Sequence, residues 1–241
     1  MTFTSTLPAP GRLPAGIRIY AVGDVHGCTD KLDQLHALIG HDALRAPEPR
    51  KVVVYLGDYV DRGTDSRGVI ARLLAPGPPG CERIFLKGNH EVMFQAGIAP
   101  TATPEVVRFW LDNGGAETLQ SFGADPALPG HWAAMVPAEQ RAFLKGLRTA
   151  WSAGTYLFAH AGIRPGVAPD AQDEDDLLWI REPFLSWNSD AEPPGVVVHG
   201  HTPTRAPVVL EHRIGIDTGA VYGGALTSVA LWGDRLAFAG V

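Results

Sequence analysis

Five short apolar runs in this chain each end on a glycine-containing turn that carries charged or imidazole side chains. The runs are "IRIYAV" (Ile17–Val22), "VVVYL" (Val52–Leu56), "RIFL" (Arg83–Leu86), "TYLFA" (Thr155–Ala159) and "VVVH" (Val196–His199). Continuous apolar, β-branched stretches of this length read as buried strands. The turns after them read "GDVHG" (Gly23–Gly27), "GDYVDRG" (Gly57–Gly63), "GNHE" (Gly88–Glu91), "HAG" (His160–Gly162) and "GHTP" (Gly200–Pro203). Ligands of open α/β sheets bind beyond the carboxyl ends of the strands, so the five turns are expected to converge on one crevice.

The segments between the first three runs carry helical spacing. Leu32, Leu35 and Ile39 repeat on one face with Gly40 as the expected stop, and Val69, Ile70, Leu73 and Leu74 do likewise. Strand, helix, strand, helix, strand predicts a parallel sheet. The pattern changes at Thr103, a candidate cap, with Pro104 at the first helical position and Val106, Val107, Trp110 and Leu111 on one face. "NGG" (Asn113–Gly115) reads as a helix end. A second helix is predicted from Pro137 to Trp151 with Phe143, Leu144 and Leu147 inward. Residues 92–151 are thus expected to form a helical cap or insertion within a single domain spanning 16–241, after a flexible lead-in of residues 1–15. "LTSVALW" and "RLAFAG", joined by Gly233-Asp234, read as a terminal hairpin, and "PGPPG" and "EPPG" as loops.

A length of 241 residues at 45% hydrophobic content provides for a sizeable core. The formal net charge of -6 argues against a general binder of nucleic-acid duplexes or membrane surfaces. Cys28 and Cys81 are too few for a disulfide framework and form no Cys-x-x-Cys pair. The first sixteen residues lack the features of a signal peptide, so a cytoplasmic protein is expected, with a monomer as the favoured state.

Asp24, His26, Asp58, Asn89, His160 and His201 offer hard oxygens and imidazoles without thiolate. That mixture suits manganese, with iron or zinc as alternatives. A single ion with an open position takes about three protein ligands, so six candidates fit two divalent ions sharing a bridge, for which Asp58 is the choice. Two ions about 3.5–4 Å apart clamp the attacking and leaving oxygens of an in-line displacement, which is chemistry for phosphate esters.

The five motifs in this order resemble the calcineurin-like metallophosphoesterases, most closely their bacterial and phage-type phosphoprotein phosphatase branch. The resemblance spans roughly Ile17 to Val229 and implies a four-layer αββα sandwich, two central mixed sheets flanked by helices. It implies that Asp24, His26 and Asp58 hold one metal and Asp58, Asn89, His160 and His201 the second. It also implies in-line attack by a bridging hydroxide, with His90 as general acid, Asp61 orienting it, and Arg62 and Arg181 gripping the phosphate. Asn89 and Tyr222 are further candidates to border the substrate. The Gly-His-x-His of many relatives is absent, because Pro203 stands at the second histidine, which is also the pattern of the phosphoprotein phosphatase branch.

Taken alone, an aspartate beside glycine is a turn residue. His36, His41, His131 and His212 are read as packed or surface residues, His199 as structural, and Trp110, Trp132, Trp151, Trp179 and Trp187 as packing. The expected substrate is a serine/threonine phosphoprotein or another small phosphoester. A symmetrical diadenosine tetraphosphate hydrolase is the alternative, against which Asp61 leans, and a non-catalytic interaction module on the same fold is the alternative of another class.

Overall fold

The computed structural model describes residues 2–187 and 195–241. Its strands run in chain order as β1 (Leu7–Pro8), β2 (Ile17–Val22), β3 (Arg50–Tyr55), β4 (Glu82–Phe85), β5 (Ala150–Ala153) and β6 (Tyr156–Ala159). They continue as β7 (Val196–His199), β8 (Val208–Val209), β9 (Arg213–Gly215), β10 (Thr227–Trp232) and β11 (Arg235–Gly240). The helices are α1 (Thr29–Ala43), α2 (Ser66–Leu74), α3 (Asn89–Gly97), α4 (Pro104–Trp110), α5 (Ala116–Ser121), α6 (Trp132–Met135), α7 (Ala138–Lys145) and α8 (Glu174–Trp179).

Two mixed sheets form. The first has the order β1-β11-β10-β2-β3-β4, with β2, β3 and β4 parallel and β10 and β11 antiparallel. The second has the order β5-β6-β7-β9-β8, with β6, β7 and β9 parallel. Alternation along each strand then builds the layers. Ile17, Ile19 and Ala21 of β2 and Val52 and Val54 of β3 pack with Phe158, Val196, Val198 and Val229 between the sheets. Tyr20, Val22, Val53 and Tyr55 face the opposite way, onto Leu32, Leu35 and Ile39 of α1 and Val69 and Ile70 of α2. Leu157, Ala159 and Val197 of the second sheet turn outward onto Leu177 and Ile180, in and just after α8, and Phe184. The result is the expected four-layer sandwich, and each fully buried Val, Leu or Ile contributes about 1.5–3 kcal/mol to it. No described helix is long and apolar enough to cross a membrane.

Several local expectations are corrected. α1 runs past Gly40 to Ala43. Gly40 is a packing residue, since a Cβ there would stand 3.0 Å from Pro79. The predicted Pro137–Trp151 helix stops at Lys145, and Trp151 lies in β5, where it packs on Phe158. Within the 1–15 segment, Leu7–Pro8 pairs with β11 and Leu13 is buried. Asn113 and Gly114 break the helical path between α4 and α5, with Gly114 at φ 99°. The "EPPG" loop lies outside the described residues except for Gly195.

His36 of α1 accepts a hydrogen bond from the Tyr55 hydroxyl at 2.8 Å. Burial, helped by Arg72 and Arg83 and opposed by Asp33, pushes its pKa down to about 4. An imidazole held neutral by the fold favours folding fully above its ordinary value of about 6.5, and that contribution is lost as pH falls toward 4. Stability to denaturant should therefore fall between pH 6.5 and pH 4. His36→Asn should flatten that slope, and an identical slope in the variant would contradict the assignment.

Candidate metal centre

The turns after β2, β3, β6 and β7 and the start of α3 meet at one end of the two sheets. Among the described residues, the non-glycine residues with positive φ are His26 (41°), Asp58 (52°), Asp61 (69°), Arg62 (67°) and His201 (64°). All five belong to this place. A left-handed non-glycine residue costs on the order of 1 kcal/mol and persists only where its surroundings enforce it.

Glu91 is part of that enforcement. Its buried carboxylate accepts from the backbone N–H groups of Asp58 (2.8 Å), Tyr59 (2.7 Å), Gly88 (2.8 Å) and Val60 (3.3 Å). Burial and the neighbouring Asp58 push its pKa up to about 7 against the Gly88 and Tyr59 donors and His160. Gly88 and Gly200 permit close approach of the two carboxylates, since a Cβ at either would fall 2.1 Å from Asp58 Oδ1 or 2.0 Å from Asp24 Oδ1.

Tautomers follow from the hydrogen bonds. His26 Nδ1–H donates to the Val60 carbonyl at 2.7 Å, and His160 Nδ1–H donates to the Leu56 carbonyl at 2.9 Å. Carbonyls only accept, so each neutral imidazole turns a bare Nε2 lone pair inward. His26 Nε2 lies 3.4 Å from Asp58 Oδ2, and His160 Nε2 lies 3.4 Å from Asp58 Oδ1 and 2.9 Å from Asn89 Oδ1. His201 Nδ1 is 3.0 Å from the same Asn89 oxygen. Asp24 Oδ2 accepts from the His201 N–H at 3.0 Å, while Asp24 Oδ1, His90 Nε2 and His201 Nε2 are buried with no partner. Two groups share Asp58, His26–Asp58–His90 and Asp58–His160–His201, the ligand atoms of each lying within 4.8 Å of one another; the expected ligand Asp24 is in neither, and His90 stands in the first.

The charges are as crowded as the lone pairs. Burial alone would raise the Asp58 pKa, but His160, His90 and His26 overcome it and hold the carboxyl well below its ordinary range. Burial, Asp217 and Asp58 push Asp24 well above it. Burial works against a proton on His160, yet Asp58, Asp24 and Glu91 raise it to about 9. Burial, His160 and Arg181 push His201 down to about 3. Acceptor atoms facing acceptor atoms away from water are stabilised by a proton or a cation. The oxygen and imidazole donors fit hard or borderline divalent cations.

His90 Nδ1 meets Asp61 Oδ2 at 2.8 Å, leaving Nε2 to face the centre. Asp61 Oδ1 accepts from Trp110 Nε1 at 3.0 Å and from the Thr118 hydroxyl at 2.7 Å, and its N–H donates to Thr118 Oγ1 and Ser66 Oγ. Trp110 is therefore more than packing, and α4 and α5 reach into the site through Asp61. Arg62 Nη1 donates to His26 Nε2 at 2.8 Å, its N–H donates to the Gly114 carbonyl, and its guanidinium lies 5.8 Å from the Tyr222 ring centre. The "NGG" segment thus borders the cleft. Arg181 is exposed after α8, near His201. His199 is buried but donates to the Gly200 carbonyl and belongs to neither group. Glu91, Thr118 and Asp217 have no assigned role in the sequence, and Trp110 reads there as packing alone. Glu91 alone had a signal, its place inside "GNHE".

The Calcineurin-like phosphoesterase family model matches residues 17–225. Serine/threonine-protein phosphatase 1 of Salmonella typhimurium is 29% identical, covering 87% of this chain and 89% of its own length. The asymmetrical bis(5'-nucleosyl)-tetraphosphatase PrpE of Bacillus thuringiensis is 26% identical over 86% of this chain and 88% of its own. A solved structure provisionally assigned as a diadenosine tetraphosphatase shares the fold, with a TM-score of 0.62 at 24% identity over 97% of this chain and 96% of that one. A sandwich of two mixed sheets, an Asp58-centred cluster of oxygens and imidazoles, and a match over residues 17–225 lead to one conclusion: the chain belongs to the calcineurin-like phosphoesterase family.

Proposed function

We propose that Asp24, His26 and Asp58 hold one divalent cation and that Asp58, Asn89, His160 and His201 hold a second, with manganese as the preferred ion. The observation that carries this reading is the inward-facing set of lone pairs around Asp58, where His26 Nε2 and His160 Nε2 each stand 3.4 Å from a different oxygen of one carboxylate. Family members are metal-dependent phosphoester hydrolases. When bound, such a pair of ions polarises phosphoryl oxygen and lowers the pKa of water.

The chain's own residues supply the rest. His90, fixed by Asp61, presents Nε2 to protonate the departing oxygen; burial lowers its pKa, and the Asp58 and Asp61 carboxylates oppose that loss of the proton it must give up. Trp110 and Thr118 hold Asp61 in turn, so ring orientation is set before substrate arrives. Arg62 and Arg181 carry the fixed positive charge that receives the phosphoryl oxygens.

The mouth of the cleft points to the substrate. Tyr222 and Phe109 are 65% and 54% exposed, and Phe109 leans on half-buried Trp179, whose ring lies 6.4 Å from that of His201. Aromatic rings at the edge of a phosphate site suit nucleoside polyphosphates, because every base has a face to stack. Serine/threonine phosphoprotein is the second reading, supported by the Salmonella relative and by Asp61.

Two variants test the centre. Asp58→Asn should lower metal content from two ions per chain to one or none, and two retained ions would refute the shared carboxylate. His90→Asn should cut kcat on an aryl phosphate about 10²–10⁴-fold with both ions retained. Turnover within a few-fold of wild type would remove the acid role, and loss of an ion alongside activity would make His90 a ligand instead.

A further inference from the structure

A lone exposed ring on a protein surface needs no explanation. Tyr222 differs because the backbone carrying it is fastened at every step. It ends a single 3₁₀ turn, Ala220–Tyr222, between Gly219 at φ 70° and Gly223 at φ 88°. The N–H groups of Tyr222 and Gly224 both donate to the Gly219 carbonyl at 2.9 Å, and Gly219 N–H donates to Asp217 Oδ1 at 2.9 Å. Lys31, from the first turn of α1, donates its ammonium to the Ala220 carbonyl at 3.0 Å and to the Gly224 carbonyl, bracketing Tyr222 from both sides. Gly224 packs so closely that a Cβ would stand 1.9 Å from the Thr218 carbonyl oxygen. A cation, a carboxylate and two left-handed glycines thus hold rigid a turn whose one large side chain stays in water.

The ring is aimed at the site's own arginine. Arg62 bridges from His26 Nε2 on one side to the Tyr222 ring on the other. A cleft of about 440 Å³ opens between Arg62 and the start of α1, lined by Cys28, Asp30, Lys31, Arg62, Asp65 and Val221, the residue before Tyr222.

We propose that Tyr222 is a specificity-determining residue, that it stacks on the nucleobase of a nucleoside polyphosphate whose phosphates lie on Arg62, and that Lys31 is the positioning residue that holds it there. The proposal rests on the hydrolase reading above and refines its substrate. One guanidinium separates the ring from the ligand cluster, so the flat group it meets sits at the end of a phosphate chain. A ring bonded directly to the reacting phosphate would not reach it.

The test compares a nucleoside tetraphosphate, inorganic tripolyphosphate and p-nitrophenyl phosphate, with manganese supplied. In Tyr222→Ala the kcat/KM ratio of nucleotide over tripolyphosphate should fall about tenfold, through KM, as expected for loss of base stacking. Tyr222→Phe should restore the ratio, and Lys31→Met should lower it with the same KM character. Equilibrium binding of the two polyphosphates to metal-free protein should show the same split. An unchanged ratio in Tyr222→Ala overturns the proposal, as does an equal loss on p-nitrophenyl phosphate. Failure of the wild-type protein on all three substrates would overturn the hydrolase reading itself.

Discussion

One carboxylate, Asp58, stands between two inward-facing imidazole lone pairs, and its placement governs the local architecture. His26 and His160 approach its two oxygens equally, and the His90 N–H donates to one of them at 3.1 Å. Such a cluster repels itself unless a proton or a cation enters, and the chain spends conformational energy to hold it open. His26, Asp58 and His201 are in left-handed backbone, as are Asp61 and Arg62 beside them. Strain gathered at one spot and absent from other non-glycine described residues marks the region the fold is built to present.

The two sheets explain how the strain is borne. β2 and β3 are parallel neighbours buried on both faces, so their ends at Val22 and Tyr55 are fixed side by side. Glu91 then ties the turn after β3 to the start of α3 through backbone donors. The helices between α3 and β5 reach the site through the Trp110 and Thr118 grip on Asp61, which carries their packing into the orientation of His90, and through the Gly114 carbonyl that accepts from Arg62 N–H. Tyr222 is fixed by comparable means on the opposite lip, with Lys31 in place of Glu91.

Much of this was legible in the sequence because its signals are local. Strand runs and the glycine-flanked motifs occupy a few consecutive residues each, and β7 falls on the predicted Val196–His199. Partners distant along the chain were not legible. Thr118 is 57 residues from Asp61 and Lys31 is 193 from Gly224, so no periodicity or spacing announces either. Gly40 and Trp151 misled for the complementary reason. A glycine in a helical pattern signals a stop unless something packs against its missing side chain, and Pro79 does so here. Trp151 continued an apolar helical repeat, but sheet pairing to Phe158 outweighed the local preference.

As proposed above, these residues bind two cations that share Asp58. Anomalous diffraction from crystals equilibrated with manganese tests it most directly. Two peaks are expected on either side of the Asp58 carboxylate, one against Asp24 and His26, the other against Asn89, His160 and His201. A single peak that avoids Asp58, or density confined to other parts of the surface, would contradict it.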